Sequence, residues 1–130
     1  NNFVRTMASL AGRGIDPAVV DDQVGRLTFT DTIADAIAHL LETGATYGTY
    51  NVTNGGDAAS WFDIAREVFR LTGNDPERVR PVSTAEYFAD ATAAVAPRPA
   101  NSVLDLTAIQ ASGFTPARVE DALVRYLGSF

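Results

Sequence analysis

The sequence predicts an α/β fold. Stretches with the helical spacing of apolar residues alternate with short β-branched runs, and turn residues separate them. The predicted order is helix, strand, helix, strand, helix, strand, loop, strand, helix, which has too few strands for a complete doubly wound domain. The chain has 130 residues, enough to bury a hydrophobic core, and we expect a single lobe over residues 1–130.

The first two elements are predicted by apolar spacing and by glycine. Apolar residues recur at helical intervals over residues 3–11, and Gly12 ends that helix because glycine tolerates the conformation found past helix C-termini. The β-branched run Ala18–Val20 predicts a strand. Residues 22–25 then form a loop.

A second helix is predicted to start near Thr30, whose hydroxyl would cap free backbone N–H groups. His39 lies on its polar face between two acidic residues and is predicted to be solvated and ion-paired there. Residues 47–52 alternate large and small side chains and predict a strand. The predicted buried face of the helix consists of Ile33, Ile37, Leu40 and Leu41.

The second half of the chain shows clear helix starts. Ser60 with Asp63, and Ser83 with Glu86, have the spacing of a capping box, in which side chains and backbone N–H groups bond reciprocally. Thr115-Pro116 predicts the start of the last helix, with proline at its first position. The strands predicted in this half are residues 79–82 and 102–104.

Composition and charge exclude several classes of function. A net charge of −6 and a pI near 4.5 argue against nucleic acid or an anionic membrane as partner, since both need a basic surface. No stretch approaches the roughly 20 apolar residues of a membrane helix. Without cysteine, disulfides and zinc-thiolate sites are excluded, which fits a cytoplasmic protein.

Three segments resemble the C-terminal part of the dTDP-4-dehydrorhamnose reductases, a family of the extended short-chain dehydrogenase/reductase group. They are Asn-Asn-Phe at residues 1–3, Asp-Gln-Val-Gly at residues 22–25 and Arg-Pro-Ala-Asn-Ser-Val-Leu-Asp at residues 98–105, and a Gly-Phe pair follows at residues 113–114. The likeness breaks at Leu27, where the family has proline. Leucine frees φ and adds an N–H donor, so this loop can differ in shape.

The resemblance implies the substrate-binding part of an NADPH-dependent oxidoreductase that makes dTDP-L-rhamnose, without most of its Rossmann domain. The family's Tyr-x-x-x-Lys pair cannot exist here, because all ten basic residues are arginine, and the Gly-x-Gly-x-x-Gly cofactor loop is absent from the sequence. We therefore expect NADPH to be bound by a missing N-terminal half, and the chain alone to be inactive. The implied partners are a dTDP-sugar and that Rossmann half, and a homodimer is compatible with them.

The resemblance also assigns substrate contacts, while no catalytic, cofactor-binding or metal residue is expected. Three of the assignments have alternatives: Asn2 as a simple helix cap, Thr28 as a strand residue, and Arg98 as the ion-pair partner of Asp22 or Asp90. Arg98 is the first choice for the diphosphate, because a guanidinium offers forked donors to two oxygens. The assigned residues are Asn2, Arg5, Gln23, Thr28 and Arg98.

Two other functions stay open at the level of sequence. One is a nucleotide-sugar epimerase or dehydratase of the same group. The other is a non-catalytic regulatory relative that keeps the fold to bind a partner protein.

Overall fold

The computed structural model describes residues 2–129, in which helices alternate with short strands, as the predicted α/β fold requires. Asn1, the first residue of the Asn-Asn-Phe segment, lies outside this range, as does Phe130. The helices are α1 Phe3–Gly12, α2 Thr30–Glu42, α3 Trp61–Leu71, α4 Thr84–Tyr87, α5 Thr107–Ala111 and α6 Val119–Leu127, with a 3-10 helix at Pro76–Arg78. The strands are β1 Ala18–Val20, β2 Val24–Gly25, β3 Ala59–Ser60 and β4 Arg80–Val82.

The chain divides into two compact units, each built from two separate stretches of sequence. Unit 1 consists of Asn1–Val24 and Ala59–Ser102, and unit 2 of Gly25–Ala58 and Val103–Phe130. The expectation of a single lobe over residues 1–130 stays a prediction. Between residues 2 and 129, no helix is long and apolar enough to cross a membrane.

Unit 1 is organised by the packing of α1 against α3. Phe3 and Trp61 meet at a ring-centroid distance of 4.7 Å at the start of the two helices. As the spacing of apolar residues predicts, each helix buries one stripe. The buried apolar residues of this unit are Val4, Met7, Ala11, Val19, Ile64, Ala65, Val68, Phe69 and Val79.

The sheet of unit 1 is a parallel pair. β1 and β4 run side by side with Val19 opposite Pro81. Beyond this pair, the Val24 N–H donates to the Ala100 carbonyl and the Ser102 N–H donates to the Val24 carbonyl, both at 2.8 Å. This contact is a bridge of one residue, at Asn101. The predicted strand over residues 102–104 is wrong, because the pairing ends after this bridge.

The predicted capping boxes are confirmed. At α3, the Asp63 N–H donates to the Ser60 hydroxyl at 3.1 Å, and the Ser60 N–H donates to the Asp63 carboxylate at 3.0 Å. Ser83 and Glu86 repeat the pattern at α4. Each box satisfies N–H groups that a helix start otherwise leaves without a partner.

Unit 2 has a small apolar core between α2 and α5. Ala36, Leu106 and Ile109 are buried there, and Leu40, Tyr50, Val52 and Phe114 pack around them. The predicted burial of Ile33, Ile37 and Leu41 is wrong, because the sector of α2 that faces this core carries Thr32 and Ala36 instead. Within residues 2–129, the three larger side chains remain exposed.

A buried asparagine joins three parts of unit 2. Asn54 is fully buried. Its Oδ1 accepts from the Phe29 N–H at 2.9 Å, and its Nδ2 donates to the Thr32 hydroxyl at 2.9 Å and to the Ala117 carbonyl at 3.0 Å. The side-chain amide therefore ties the start of α2 to the segment before α6.

The predicted start of α2 near Thr30 is confirmed, but the predicted cap of α2 and the predicted start of the last helix are wrong. Thr30 does not cap α2: Phe29 is the N-cap residue, it forms no side-chain cap bond, and Thr30 is already helical. The last helix starts at Val119 rather than after Thr115-Pro116. The Gly55 N–H donates to the Ala117 carbonyl and the Val119 N–H donates to the Gly55 carbonyl, so the chain forms a bridge here before it can coil.

The predicted strand over residues 47–52 is also wrong, since no strand is assigned there. Within the described part of the chain, the backbone N–H groups of residues 46–53 donate to no backbone carbonyl. A strand needs a neighbour for its backbone groups, and none is present at this place.

Candidate functional site

The N-terminus of α1 carries the first two predicted contacts, in unit 1. The Asn2 Oδ1 accepts from the Arg5 N–H at 3.0 Å, so Asn2 is the N-cap residue of the helix, and both residues are exposed. The structure therefore brings Asn2 and Arg5 together at a helix start, where the helix dipole favours an anion. The cap role of Asn2 is observed, and its contact with a diphosphate stays a prediction.

Gln23 is fixed by Thr84, also in unit 1. The Gln23 Nε2 donates to the Thr84 hydroxyl at 2.9 Å, and that hydroxyl donates to the Asp22 carboxylate. Asp22 also accepts from the Thr84 N–H at 2.9 Å. The loop after β1 is thus bound to the first turn of α4. This bond uses one of the two Nε2 hydrogens, so the Gln23 side chain keeps its amide oxygen and its second N–H for a ligand.

The hydrogen bonds from Thr84 lower the pKa of the Asp22 carboxyl below its ordinary value, the side-chain bond first and the backbone bond second. A carboxylate whose pKa is lower in the folded state stabilises the fold at pH above the unfolded pKa. This contribution is lost as the pH falls through the lowered folded value. Asp105 has the same arrangement in unit 2, where the Thr107 hydroxyl and N–H lower its pKa.

We expect Thr84→Val to raise the pKa of Asp22 towards the ordinary value, because valine keeps the backbone donor and removes the hydroxyl. NMR titration of the carboxyl groups in the parent protein and in the variant measures the shift in the pKa of Asp22. Asp105 serves as the internal control, since its own threonine is untouched and its titration should not move. An unchanged Asp22 midpoint would show that the hydroxyl contributes nothing.

Thr28 lies in unit 2, beside an arginine that the sequence did not single out. The Thr28 hydroxyl donates to the Arg26 carbonyl at 3.3 Å. The Arg26 guanidinium donates to the Gly56 carbonyl through Nε and to the Leu104 carbonyl through Nη1, both at 3.1 Å. Arg26 therefore joins three loops of unit 2. The sequence signal that could have identified Arg26 is its place directly after the Asp-Gln-Val-Gly segment.

Arg98 belongs to a fully exposed stretch of unit 1, since residues 89–102 are all exposed. Among residues 2–129 its guanidinium makes no hydrogen bond or ion pair, so the predicted alternative of pairing with Asp22 or Asp90 is not observed. Its donors are therefore available to a ligand.

The types of Ser102 and Asp105 predict side-chain bonds that fix the local turn. Asp105 does so, because its carboxylate accepts from the Thr107 N–H at 2.8 Å. The prediction is wrong for Ser102, whose hydroxyl donates to the distant Val24 carbonyl at 3.2 Å.

The single histidine has a structural role in unit 2. His39 is half-buried, and its Nε2–H donates to the Ser112 carbonyl at 2.9 Å while its ring lies 5.5 Å from that of Phe114. The prediction of a solvated, ion-paired histidine is wrong. The loop that follows α5 covers the ring and offers a carbonyl acceptor instead.

The chemistry that these residues offer is binding rather than proton or hydride transfer. Arg5 and Arg98 are exposed cations in an acidic chain, and Gln23 and Thr28 are neutral hydrogen-bonding groups. Over the described range, no three histidine, cysteine, aspartate or glutamate residues are grouped to hold a metal. The sequence contains no lysine to pair with a tyrosine and no Gly-x-Gly-x-x-Gly loop.

Comparison with known proteins gives one family match over residues 1–130, to the RmlD substrate binding domain. A probable dTDP-4,6-dihydroxy-2-methyloxan-3-one 4-ketoreductase of Streptomyces antibioticus is 41% identical over 117 residues, which are 90% of this chain and 38% of that protein. A dTDP-4-dehydrorhamnose reductase of Mycolicibacterium smegmatis is 36% identical over 134 residues, 99% of this chain and 39% of that protein.

A solved structure agrees with these sequence comparisons. The dTDP-4-dehydrorhamnose reductase of Bacillus anthracis, determined in complex with NADP, superposes with a TM-score of 0.85 at 34% identity, over 100% of this chain and 44% of that one. The chain thus spans about two fifths of the length of the relatives that it matches.

Proposed function

Because the chain belongs to the RmlD substrate binding domain family, we propose that it is the nucleotide-sugar-binding part of an NADPH-dependent dTDP-4-dehydrorhamnose reductase. The observation that carries the proposal is the family match over all 130 residues, together with a relative of this activity that is aligned over 99% of the chain. The substrate would be dTDP-4-dehydro-L-rhamnose and the product dTDP-L-rhamnose.

In this proposal, unit 1 holds the diphosphate. Arg98 contributes two parallel N–H donors, a geometry that matches two phosphoryl oxygens. Arg5 and the start of α1 add positive potential at the position that Asn2 caps. The exposure of Arg98 and the absence of a protein partner for its guanidinium within residues 2–129 support this role. Gln23 and Thr28 are proposed as further contacts to the ligand.

Reduction itself is assigned to the rest of the longer protein. That part would hold NADPH, whose chemistry is hydride donation to the keto carbon, and the family's Tyr-x-x-x-Lys pair there would supply the proton for the keto oxygen. Since this sequence has neither the lysine nor the dinucleotide loop, its residues bind and orient the sugar nucleotide, which lowers the barrier by positioning. The 130-residue chain alone is expected to oxidise no NADPH.

A second candidate is a reductase of a different dTDP-4-keto sugar. It is favoured by relatives with other activities, which include a dTDP-4-keto-6-deoxy-D-glucose reductase of Streptomyces niveus, 41% identical over 117 residues. The residues named above would hold the dTDP portion in either case, so they do not distinguish the two sugars.

The test is NADPH oxidation by the complete purified protein with each of the two 4-keto sugar nucleotides, followed by mass analysis of the product. We expect a product two hydrogens heavier and a higher kcat/KM with dTDP-4-dehydro-L-rhamnose. A higher kcat/KM with dTDP-4-keto-6-deoxy-D-glucose would support the second candidate. Absence of turnover in a folded protein that binds dTDP would favour a regulatory relative.

A further inference from the structure

Asn54 and Gly55 form the one Asn-Gly pair of the sequence. In such a pair, the backbone nitrogen of the glycine can attack the side-chain Cγ of the asparagine and close a cyclic imide. Glycine favours this attack because it has no Cβ to restrict the approach of its backbone. The other asparagines precede Asn, Phe, Val, Asp or Ser, whose side chains crowd the attacking nitrogen. The pair is therefore the most reactive asparagine site of the chain.

The reaction is a deamidation whose only co-reactant is water. The Gly55 nitrogen loses its proton to solvent and bonds to Cγ of Asn54, the Cγ–Nδ2 bond breaks, and Nδ2 takes up a proton and leaves as ammonia. Water then adds to one of the two imide carbonyl carbons and breaks its bond to the ring nitrogen. Opening on one side gives aspartate, and opening on the other gives isoaspartate, in which the main chain runs through Cγ.

In folded unit 2, the Ala117 carbonyl holds both the attacking nitrogen and the leaving nitrogen. The Gly55 N–H donates to this oxygen at 2.9 Å, and the Asn54 Nδ2 donates to it at 3.0 Å. The Nδ2 also donates to the Thr32 hydroxyl, and Oδ1 accepts from the Phe29 N–H, both at 2.9 Å. The side-chain amide therefore cannot turn towards the glycine nitrogen unless several hydrogen bonds break.

Burial keeps away the water that the reaction requires. Asn54 is 0% exposed, and Gly55 is half-buried. A Cβ placed on Gly55 would lie 3.1 Å from the Pro116 carbonyl oxygen, so the segment before α6 closes over the pair. With no solvent base beside the Gly55 N–H and no water beside Cγ, the reaction requires unit 2 to open first.

The apolar core of unit 2 is smaller than that of unit 1, which lowers the free energy needed to open it. Unit 1 buries Phe69 and Met7, whereas two of the buried apolar residues of unit 2 are alanines. Within residues 2–129, the buried apolar residues of unit 2 are Ala36, Leu106, Ile109, Ala122 and Leu123.

We propose that Asn54-Gly55 is a deamidation site that the folding of unit 2 protects. Each opening of unit 2 frees the Gly55 nitrogen and the Asn54 amide and admits water. The rate of modification in the native protein is therefore the rate in the unfolded chain multiplied by the fraction of molecules in which unit 2 is open.

The product does not fit the place of the amide. An aspartate carboxylate only accepts hydrogen bonds, so it has no donor for the Ala117 carbonyl, and its charge would be buried. Isoaspartate also adds a carbon to the main chain directly before the bridge between Gly55 and Arg118. A unit 2 that deamidates while open therefore does not return to its native form, and a reversible opening becomes irreversible.

The first test compares the folded complete protein with the same protein unfolded in guanidinium chloride, at one pH and one temperature. Peptide mapping by mass spectrometry measures the fraction of Asn54 that is converted. In the unfolded protein, Asn54 should convert faster than Asn51 and Asn101. In the folded protein, its conversion should be at least about tenfold slower, because only open molecules react. Equal rates for Asn54 in the two states, or equal rates for the three asparagines when unfolded, would overturn the proposal.

Two matched substitutions test whether opening of unit 2 controls the reaction. Ile109→Val removes one buried methylene from unit 2, and Ile64→Val removes one from unit 1. Ile109→Val should speed the conversion of Asn54 in the folded protein by about 2- to 10-fold, the increase in open molecules that the loss of a methylene gives. Ile64→Val should change it by less than about twofold. Equal acceleration by the two variants would contradict control by unit 2.

Refolding tests the irreversibility. Protein that is partly converted in denaturant is returned to buffer, and anion exchange separates the converted molecules by their added negative charge. In the molecules that retain Asn54, the amides of Phe29 and Val119 should regain slow hydrogen exchange, and in the converted molecules they should not. Slow exchange in both fractions would overturn the claim that the product cannot close unit 2. None of these measurements depends on NADPH turnover.

Discussion

Asn54→Ala should lower the free energy of unfolding of unit 2 by about 3 kcal/mol. The substitution removes three hydrogen bonds. It leaves the half-buried Phe29 N–H and the buried Thr32 hydroxyl without that partner, while the Ala117 carbonyl keeps the Gly55 N–H. A buried polar group without a hydrogen-bond partner incurs the full free-energy cost of its desolvation. This cost exceeds the net stabilisation that an ordinary hydrogen bond provides. The expected readout is a lower urea midpoint of the complete protein, with faster exchange of unit 2 amides.

The matched control is Asn51→Ala, three residues earlier in the same segment. Asn51 is exposed, and its Nδ2 donates to the Asp105 carbonyl at 3.1 Å. We expect its effect on the midpoint to be less than a third of that of Asn54→Ala. Equal shifts for the two variants would mean that burial of the Asn54 amide has no special weight.

Arg98→Ala in the complete enzyme should raise KM for the sugar nucleotide by about 10- to 100-fold, which corresponds to the loss of one charge-assisted, bidentate contact. KM for NADPH should change little, because the cofactor is assigned to another part of the protein. Titration of the protein with dTDP alone, measured by calorimetry, would show the same loss of affinity as a higher Kd, without relying on turnover.

Two further variants separate charge from geometry. Arg98→Lys keeps the charge and removes the planar fork, so its KM should lie between those of the parent and the alanine variant. Arg13→Ala removes another exposed arginine of unit 1 and should leave both KM values unchanged. If Arg98→Ala raised the two KM values equally, the diphosphate role would be contradicted.

The buried faces of α1 and α3, which the sequence predicted correctly, have their partners within unit 1. The apolar spacing of α1 and α3 was sufficient because each stripe packs on the other helix. The same reasoning failed to predict the buried side chains of α2. The spacing of apolar residues identifies an apolar face without saying what covers it. The strand prediction for residues 47–52 failed for a related reason. A strand is defined by its neighbour, and alternation of side chains predicts only a capacity to pair.

For the candidate site, resemblance supplied the residues and structure supplied their surroundings. The helix start at Asn2 and the exposure of Arg98 agree with binding roles, which stay predictions. Arg26 and Asn54 were missed because their importance comes from carbonyl groups far away in sequence, which no local pattern shows. The error at His39 has the same origin, as its acceptor is the carbonyl of Ser112.

The interleaving of the two units has a consequence for how the protein is made. Gly25–Ala58 leaves the ribosome before Ala59–Ser102, yet the stretch that completes its unit, Val103–Phe130, is translated last. At roughly 5–20 residues per second, unit 1 has all of its sequence several seconds before unit 2. During that interval the nascent Asn54 amide lacks its Ala117 acceptor. Unit 2 therefore finishes folding after unit 1, and premature termination of translation would harm unit 2 first.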